Sequence, residues 1–119
     1  MPNYKIALAG VQTELLGQIE RQIIFTPSRT GNRLLRLVYL RGEPGAVGKV
    51  HVHPGEEALF TIQGQIIMQI GGEEITVGPN EAVVVPPETE HPFRVTSAEP
   101  WLAIASFCDE CPVLAKGKA

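Results

Sequence analysis

Short apolar runs separated by glycine and proline recur at intervals of roughly ten residues, a spacing typical of an all-β sandwich or barrel. They predict nine strands, over residues 18–25, 34–40, 49–53, 57–63, 65–70, 73–77, 82–85, 92–96 and 101–107. The runs are rich in β-branched residues, which favour strands. No apolar stripe of helical period runs along the chain, and residues 13–17 predict one helical turn at most.

Glycine positions and side-chain alternation add turns and strand phase to this prediction. Residues 63–64 and 71–72 predict hairpin turns, because glycine supplies the positive φ angles that such turns need. Alternation places Ile67 on the outer face of its strand if the inward residues are Ile66, Met68 and Ile70. An outward Ile67 fits either a single exposed side chain or a sheet-on-sheet dimer interface, and the sequence leaves both open.

Size and charge narrow the class of protein. A chain of 119 residues predicts one domain. Its net charge of −3, with scattered basic residues, does not fit a nucleic-acid-binding surface. No apolar run approaches the ~20 residues that cross a bilayer, and the N-terminal sequence lacks the features of a signal peptide. We therefore expect a cytoplasmic protein that binds neither nucleic acid nor membrane.

The three histidines of the chain occur in a pattern that suits one metal ion. His51 and His53 are two residues apart, so their side chains would point the same way on a strand. Glu57 follows a Pro54-Gly55 turn that can bring it back beside them, and a later segment supplies His91. Imidazoles with one carboxylate suit Fe, Mn, Ni, Co, Cu or Zn rather than calcium. The alternative is that these histidines are ordinary surface residues.

The first of these segments resembles the first signature of the cupin superfamily, G-x5-H-x-H-x3-E-x6-G. Every fixed position is present, as Gly45, His51, His53, Glu57 and Gly64. The second signature, G-x5-P-x-G-x2-H-x3-N, is matched at Pro86 and His91. At its remaining positions the chain has Asn80, Glu88 and Val95 in place of Gly, Gly and Asn.

The resemblance implies a fold and a ligand set. The fold would be a double-stranded β-helix, a jelly-roll barrel, with one domain over residues 1–119 and a barrel core at about 34–107. Cupins of this length are usually homodimers, and a small barrel with 19% charged residues has much apolar surface to cover. The implied metal ligands are His51, His53, Glu57 and His91.

The resemblance leaves the reaction open, because cupins include dioxygenases, decarboxylases, isomerases, lyases and non-catalytic proteins. We expect a metal-dependent enzyme that acts on a small organic substrate by a dioxygenase-like or isomerase/lyase reaction. Glu57 would then be catalytic, leaving the metal briefly to act as a base. The alternative is a zinc-binding regulatory module, since residues 51–64 also resemble the zinc-binding segment of cupin anti-sigma factors. Those proteins add a helical domain that this sequence does not show, which favours the enzyme.

Several other residues are candidates for the surroundings of the metal. The substrate pocket is predicted to include Tyr39, Phe60, Met68 and Phe93, although aromatic residues in a barrel belong to the core first. Glu56 competes with Glu57 as ligand, and alternation sends the two to opposite sides. The carboxylates that flank His91, Glu88 and Glu90, would either hold its ring or be solvated. The C-x2-C pair of Cys108 and Cys111 lacks the context of a redox motif and predicts two inert thiols.

Overall fold

The computed structural model describes residues 4–48 and 52–107, and in these ranges the chain is almost entirely β-structure. The strands are β1 Thr13–Leu16, β2 Ile19–Phe25, β3 Arg36–Gly42, β4 Val47–Gly48, β5 Glu57–Gln63, β6 Ile66–Ile70, β7 Glu73–Val77, β8 Ala82–Val85, β9 Phe93–Val95 and β10 Trp101–Phe107. A 3-10 turn covers Leu8–Gly10, and a four-residue helix, α1, covers Pro27–Thr30. No helix in the described residues is long and apolar enough to cross a membrane.

The strands form two antiparallel sheets. One has six strands in the order β1-β2-β3-β10-β5-β8, and the other has four in the order β4-β9-β6-β7. Strands that follow one another in sequence often lie in different sheets, as β5 and β6 do. This arrangement is the jelly-roll topology of a double-stranded β-helix, and the predicted fold class is confirmed.

The inner faces of both sheets share one apolar core. Alternation along β10 buries Trp101, Ala103 and Ala105, and β6 contributes Ile66 and Met68, as predicted. β2 contributes two more core residues, so the core begins well before residue 34. The core residues are Ile19, Ile23, Val38, Leu40, Ala46, Leu59, Ile66, Met68, Val77, Val85, Val95, Trp101, Ala103 and Ala105.

Two local predictions are wrong. The predicted helical turn at residues 13–17 is instead strand β1, which pairs antiparallel with β2. Pairing with a neighbouring strand outweighs the weak helix propensity of so short a segment. Residues 63–64 do not make a hairpin, because the strands on either side of them belong to different sheets. Gly64 has φ +83°, and a Cβ there would lie 2.9 Å from the carbonyl oxygen of Pro100, so close approach also requires glycine.

One further turn prediction is confirmed, and other predictions fall partly or wholly outside the described residues. The 71–72 hairpin is present between β6 and β7, with both glycines at positive φ. The strand predicted over 49–53 includes residues 49–51, which the structure does not describe, while Val52 and His53 are not in a strand. Cys108 and Cys111 lie outside the described residues.

Candidate metal centre

His53 and Glu57 are brought together where the chain enters β5. Glu57 is the first residue of that strand, and alternation turns its side chain inward, where it is 8% exposed. Its neighbour Glu56 is exposed, so the inward carboxylate is the one that strand phase selects. His53 lies in the preceding loop, and its side chain is largely buried.

His91 reaches the same place from the loop between β8 and β9, and it is 2% exposed. Its Nδ1 lies 2.9 Å from the carbonyl oxygen of Thr89. A carbonyl oxygen only accepts hydrogen bonds, so Nδ1 carries the proton and donates it. The other ring nitrogen, Nε2, is thereby directed at Glu57.

One carboxylate oxygen lies between the two imidazoles. Oε1 of Glu57 is 3.1 Å from Nε2 of His53 and 3.2 Å from Nε2 of His91. The three side chains can offer one donor atom each, all within 4.8 Å of one another. A metal ion binds imidazole nitrogen at about 2.0–2.1 Å, so donors on neighbouring coordination positions lie about 3.0–3.4 Å apart. The two distances from Glu57 Oε1 to the imidazoles therefore match the spacing of neighbouring ligands of one transition-metal ion.

The electrostatics of the cluster favour an ionised carboxylate. Burial alone would raise the pKa of Glu57, but hydrogen bonding and charge interaction with His53 and His91 outweigh it and lower the pKa to about 2. For His91, burial lowers the pKa, but the interactions with Glu57 and the Thr89 carbonyl raise it by more. The net shift of the His91 pKa is therefore upward. The site thus attracts positive charge, which either protons or a metal ion can supply.

Packing holds the ring of His53 in place. It stacks on the ring of Phe107, with centroids 4.7 Å apart and planes 29° from parallel. The guanidinium carbon of Arg36 lies 4.8 Å from the centroid of the same phenyl ring, in cation–π contact. Phe107 ends β10 directly opposite Glu57, so the register between two central strands sets this arrangement.

Glu88, a residue with positive φ, connects the loop that carries His91 to the loop that carries His53. Glu88 has φ +54°, and its backbone N–H donates a hydrogen bond of 2.7 Å to the carbonyl oxygen of His53. Asn80 has φ +64°, and these two are the non-glycine residues with positive φ in the described ranges. Both stand where the second cupin signature has glycine. At both positions the backbone has a positive φ, which glycine adopts more easily than asparagine or glutamate.

A cavity of about 60 Å³ adjoins the side chains of His53, Glu57 and His91. Apolar groups from both sheets form most of its wall, and Met68 and Phe93 are among them. Among the less expected wall residues are Leu16 of β1 and Arg21 of β2. The cavity is small, so a ligand must itself be small or enter with one end.

The comparison with protein families decides the classification. A family profile described as a cupin domain matches residues 38–107, more than half of the 119 residues. The chain belongs to the cupin family. A search of curated protein sequences found no match to this cupin.

Solved cupin structures share the fold at low sequence identity. An RmlC-like cupin from Shewanella frigidimarina NCIMB 400 is 18% identical, with TM-score 0.76 over 94% of this chain and 96% of that one. The polyketide cyclase RemF from Streptomyces resistomycificus is also 18% identical, with TM-score 0.77 over 92% and 82%. A predicted oxalate decarboxylase from Thermotoga maritima is 13% identical, with TM-score 0.76 over 87% and 97%. These likenesses show the fold alone.

Some of the predicted site residues of this cupin lie together in the described structure, and others do not. His53, Glu57 and His91 are brought together, and His51 lies outside the described residues. Tyr39 and Phe60 do not line the cavity, because each alternates with inward residues of its strand, and Phe60 is 41% exposed.

Sequence reasoning also missed some neighbours of the cluster. Glu88 and Glu90 are exposed, and the group that holds the His91 ring is the Thr89 carbonyl, which no sequence pattern reveals. Phe107 and Arg21 did carry a signal. Each has the inward phase of its strand, set by Ala105 for the first and by Ile19 for the second.

Proposed function

We propose that this cupin binds one divalent transition-metal ion through His53, Glu57 and His91, with His51 as a fourth ligand. The observation that carries the proposal is the position of Glu57 Oε1, 3.1 Å and 3.2 Å from two imidazole nitrogens in a buried cluster. The donor set suits Fe, Mn, Ni, Co, Cu or Zn and does not distinguish among them.

We further propose that the protein is an enzyme acting on a small organic substrate, by a dioxygenase-like or an isomerase/lyase reaction. A bound metal ion would supply a Lewis acid or a redox centre for such a reaction. The cavity beside the ligands supports this assignment, since it gives a small molecule a place next to the ion. Among the structural neighbours, one is described as a polyketide cyclase and one as a predicted oxalate decarboxylase.

The residues of the site divide the work as follows. His53 and His91 bind through Nε2, and the Thr89 carbonyl keeps the Nδ1 proton of His91 in place. Glu57, with a pKa of about 2, supplies the negative charge that matches a cation. It becomes an effective base only when it turns away from the imidazoles, because those contacts lower its pKa. The apolar wall limits the water that can enter beside the ligands.

Metal content of purified, untagged protein tests the metal site. We expect about one metal ion per chain in the wild type and a strong loss in His51→Ala, His53→Ala and His91→Ala. Glu57→Gln should weaken binding by about tenfold or more, because it removes the anionic donor while keeping the shape. Glu56→Gln is the matched control, since it changes a neighbouring exposed carboxyl group, and it should bind like wild type. Full occupancy in a His53→Ala/His91→Ala double variant contradicts the assignment.

A second experiment separates an enzyme from the zinc-binding regulatory alternative. Cobalt-substituted protein should change its visible spectrum when small anions are added, because an enzyme keeps an exchangeable coordination position. A spectrum that no small ligand alters, together with partner binding that changes on metal removal, supports the regulatory module instead.

The assembly is also a proposal. We propose a homodimer formed by the outer face of the six-stranded sheet, where β5 and β8 present apolar side chains. Phe60 and Ile62 are each 41% exposed, and Val84 is 59% exposed. The neighbouring outward residues are also uncharged, since Ala58 lies opposite Val84 and Ala82 lies opposite Phe60 in the register of these two strands. An uncharged face of this kind is complementary to a second copy of itself.

A cytoplasmic location stays a prediction.

A further inference from the structure

Arg21 occupies an inward position in β2, and the residues at the inward positions on either side of it belong to the core. Ile19 and Ile23, two residues before and after it, are 1% and 7% exposed. Arg21 lies between them on the same face and forms part of the cavity wall with His53 and Glu57. The side chain of Arg21 therefore forms part of the wall of the cavity that adjoins the metal cluster.

The polar contacts of Arg21 leave its buried Nε donor unused. Its Nη2 lies 3.4 Å from Oε1 of Glu14, the residue directly opposite on β1. Its Nε is buried and has no hydrogen-bond partner within the described part of the chain. A buried N–H without an acceptor is costly, so a ligand that supplies an acceptor there gains more than an ordinary surface hydrogen bond.

The local charge is also unbalanced. Oε2 of Glu14 accepts a hydrogen bond of 2.9 Å from Arg29, so one carboxylate faces two guanidinium groups. The group of three carries one net positive charge, and Arg21 is its member on the cavity wall. Guanidinium groups bind carboxylates in a fixed planar geometry, which makes them selective for such groups over neutral ones.

We propose that Arg21 binds a carboxylate of the substrate, and that the substrate is a small carboxylic acid with a second oxygen function that faces the metal ligands. This inference rests on the proposed function, because it takes the metal cluster as one end of the substrate site. It adds the substrate class. A purely structural role would need only the pairing with Glu14 across β1 and β2, and it would leave the buried Nε without a partner.

Binding of dicarboxylates to cobalt-loaded protein tests the proposal. The probes are acetate, the series malonate, succinate and glutarate, and the neutral analogue malonamide, followed by calorimetry and by the visible cobalt spectrum. We expect at least one dicarboxylate to bind about tenfold or more tightly than acetate and malonamide. In Arg21→Gln this advantage should fall by about tenfold to a hundredfold, with cobalt affinity unchanged.

Two further variants keep the result interpretable. Arg29→Gln removes the other cation bound to Glu14 but no cavity group, and it should bind the dicarboxylates like wild type. Arg21→Lys keeps the charge and lacks the Nε donor, so it should retain only part of the advantage; it also replaces Arg21→Gln if that variant does not fold.

The outcomes separate this inference from the metal proposal. If wild-type protein binds no cobalt, the proposed function fails and the substrate assignment fails with it. If cobalt binds but no dicarboxylate exceeds acetate, or if Arg21→Gln and Arg21→Lys both bind like wild type, the role of Arg21 is wrong and the metal site stands.

Discussion

Glu57 is the residue through which the site responds to protons. Its carboxylate lies between two imidazoles, which keep its pKa at about 2. A carboxyl group with a lowered folded-state pKa stabilises the fold above its unfolded pKa of about 4.3, and this contribution is lost as pH falls toward 2. His91, with its pKa raised, stabilises the metal-free fold below about pH 6.5, and this contribution is lost as pH rises through its folded pKa.

These signs predict opposite pH responses for metal-free and metal-loaded protein. Without metal, the cluster stabilises most between about pH 4.5 and 6.5, where both contributions are present. With metal, the imidazoles must be deprotonated, so metal affinity rises with pH above about 6.5. The gain in melting temperature on adding zinc should therefore be small at pH 5.5 and large at pH 8. At a hundredfold excess over Kd it corresponds to about 2.7 kcal/mol, on the order of 10 °C.

Thermal unfolding of chelator-treated and zinc-loaded protein from pH 4 to 8.5 measures both curves. Glu57→Gln serves as the comparison, because it removes the carboxylate that raises the pKa of His91. Its metal-free stability should vary less between pH 4.5 and 8 than that of wild type. A zinc-induced shift that is the same at pH 5.5 and pH 8 contradicts imidazole ligation.

The sequence predicts the position of some residues of the site and not of others. Glu57 was separable from Glu56, because strand alternation allows only one of them to face inward. Arg21 was visible in principle, since its phase follows from Ile19, yet a charged residue in a core position runs against the usual pattern. Thr89 could not be found, because it acts through a backbone carbonyl that every residue possesses.

The turn before His91 shows how a loop can keep its geometry without its usual glycine. Glu88 adopts φ +54° and still donates its N–H to the His53 carbonyl. The left-handed region costs a residue with a Cβ roughly 1–2 kcal/mol. Strain of this kind concentrates at functional sites, where the surrounding contacts enforce it.

Glu88→Gly should therefore stabilise the protein. Relief of about 1–2 kcal/mol is offset by about 0.4–1 kcal/mol of added entropy in the unfolded chain, leaving a net gain of about 0–1.6 kcal/mol. Asn80→Gly should give a smaller gain, because asparagine tolerates this conformation better. Urea unfolding measures the change.

Glu90→Gly is the matched control, because it removes the same charge two residues away, where φ is not positive. It should leave stability unchanged or lower it. Glu88→Ala removes the charge but keeps the Cβ, and it should behave like wild type. If Glu88→Ala stabilises as much as Glu88→Gly, the gain comes from charge and not from backbone strain.

Strands were more predictable than the connections between them. Alternation and β-branched residues located β5, β7, β8 and β10 at the bounds that the structure shows. The paths between strands depend on which sheet each one joins, and this is decided by contacts distant in sequence. For that reason residues 63–64 looked like a hairpin but carry the chain from one sheet to the other. β1 was missed because its sequence, Thr-Glu-Leu-Leu, does not alternate between polar and apolar residues, although its burial does.

The two faces of the six-stranded sheet have different surroundings. The inner face packs on the core, while the outer face of β5, β8 and β10 presents apolar residues that the described chain does not cover. Ile104 of β10 lies beside Phe60 and extends the apolar strip. Exposed apolar area of this kind is stabilised when two copies bury it against each other.

Light scattering at micromolar concentration should therefore give twice the mass of the chain. Phe60→Glu puts a charge at the centre of the strip, and in a two-fold dimer the change occurs on both copies, so the variant should be monomeric. Thr76→Glu places the same charge on an exposed position of β7 in the other sheet, and it should remain a dimer. Far-ultraviolet circular dichroism checks that both variants fold. A monomeric wild type removes the dimer proposal, and a dimeric Phe60→Glu places the interface on another surface.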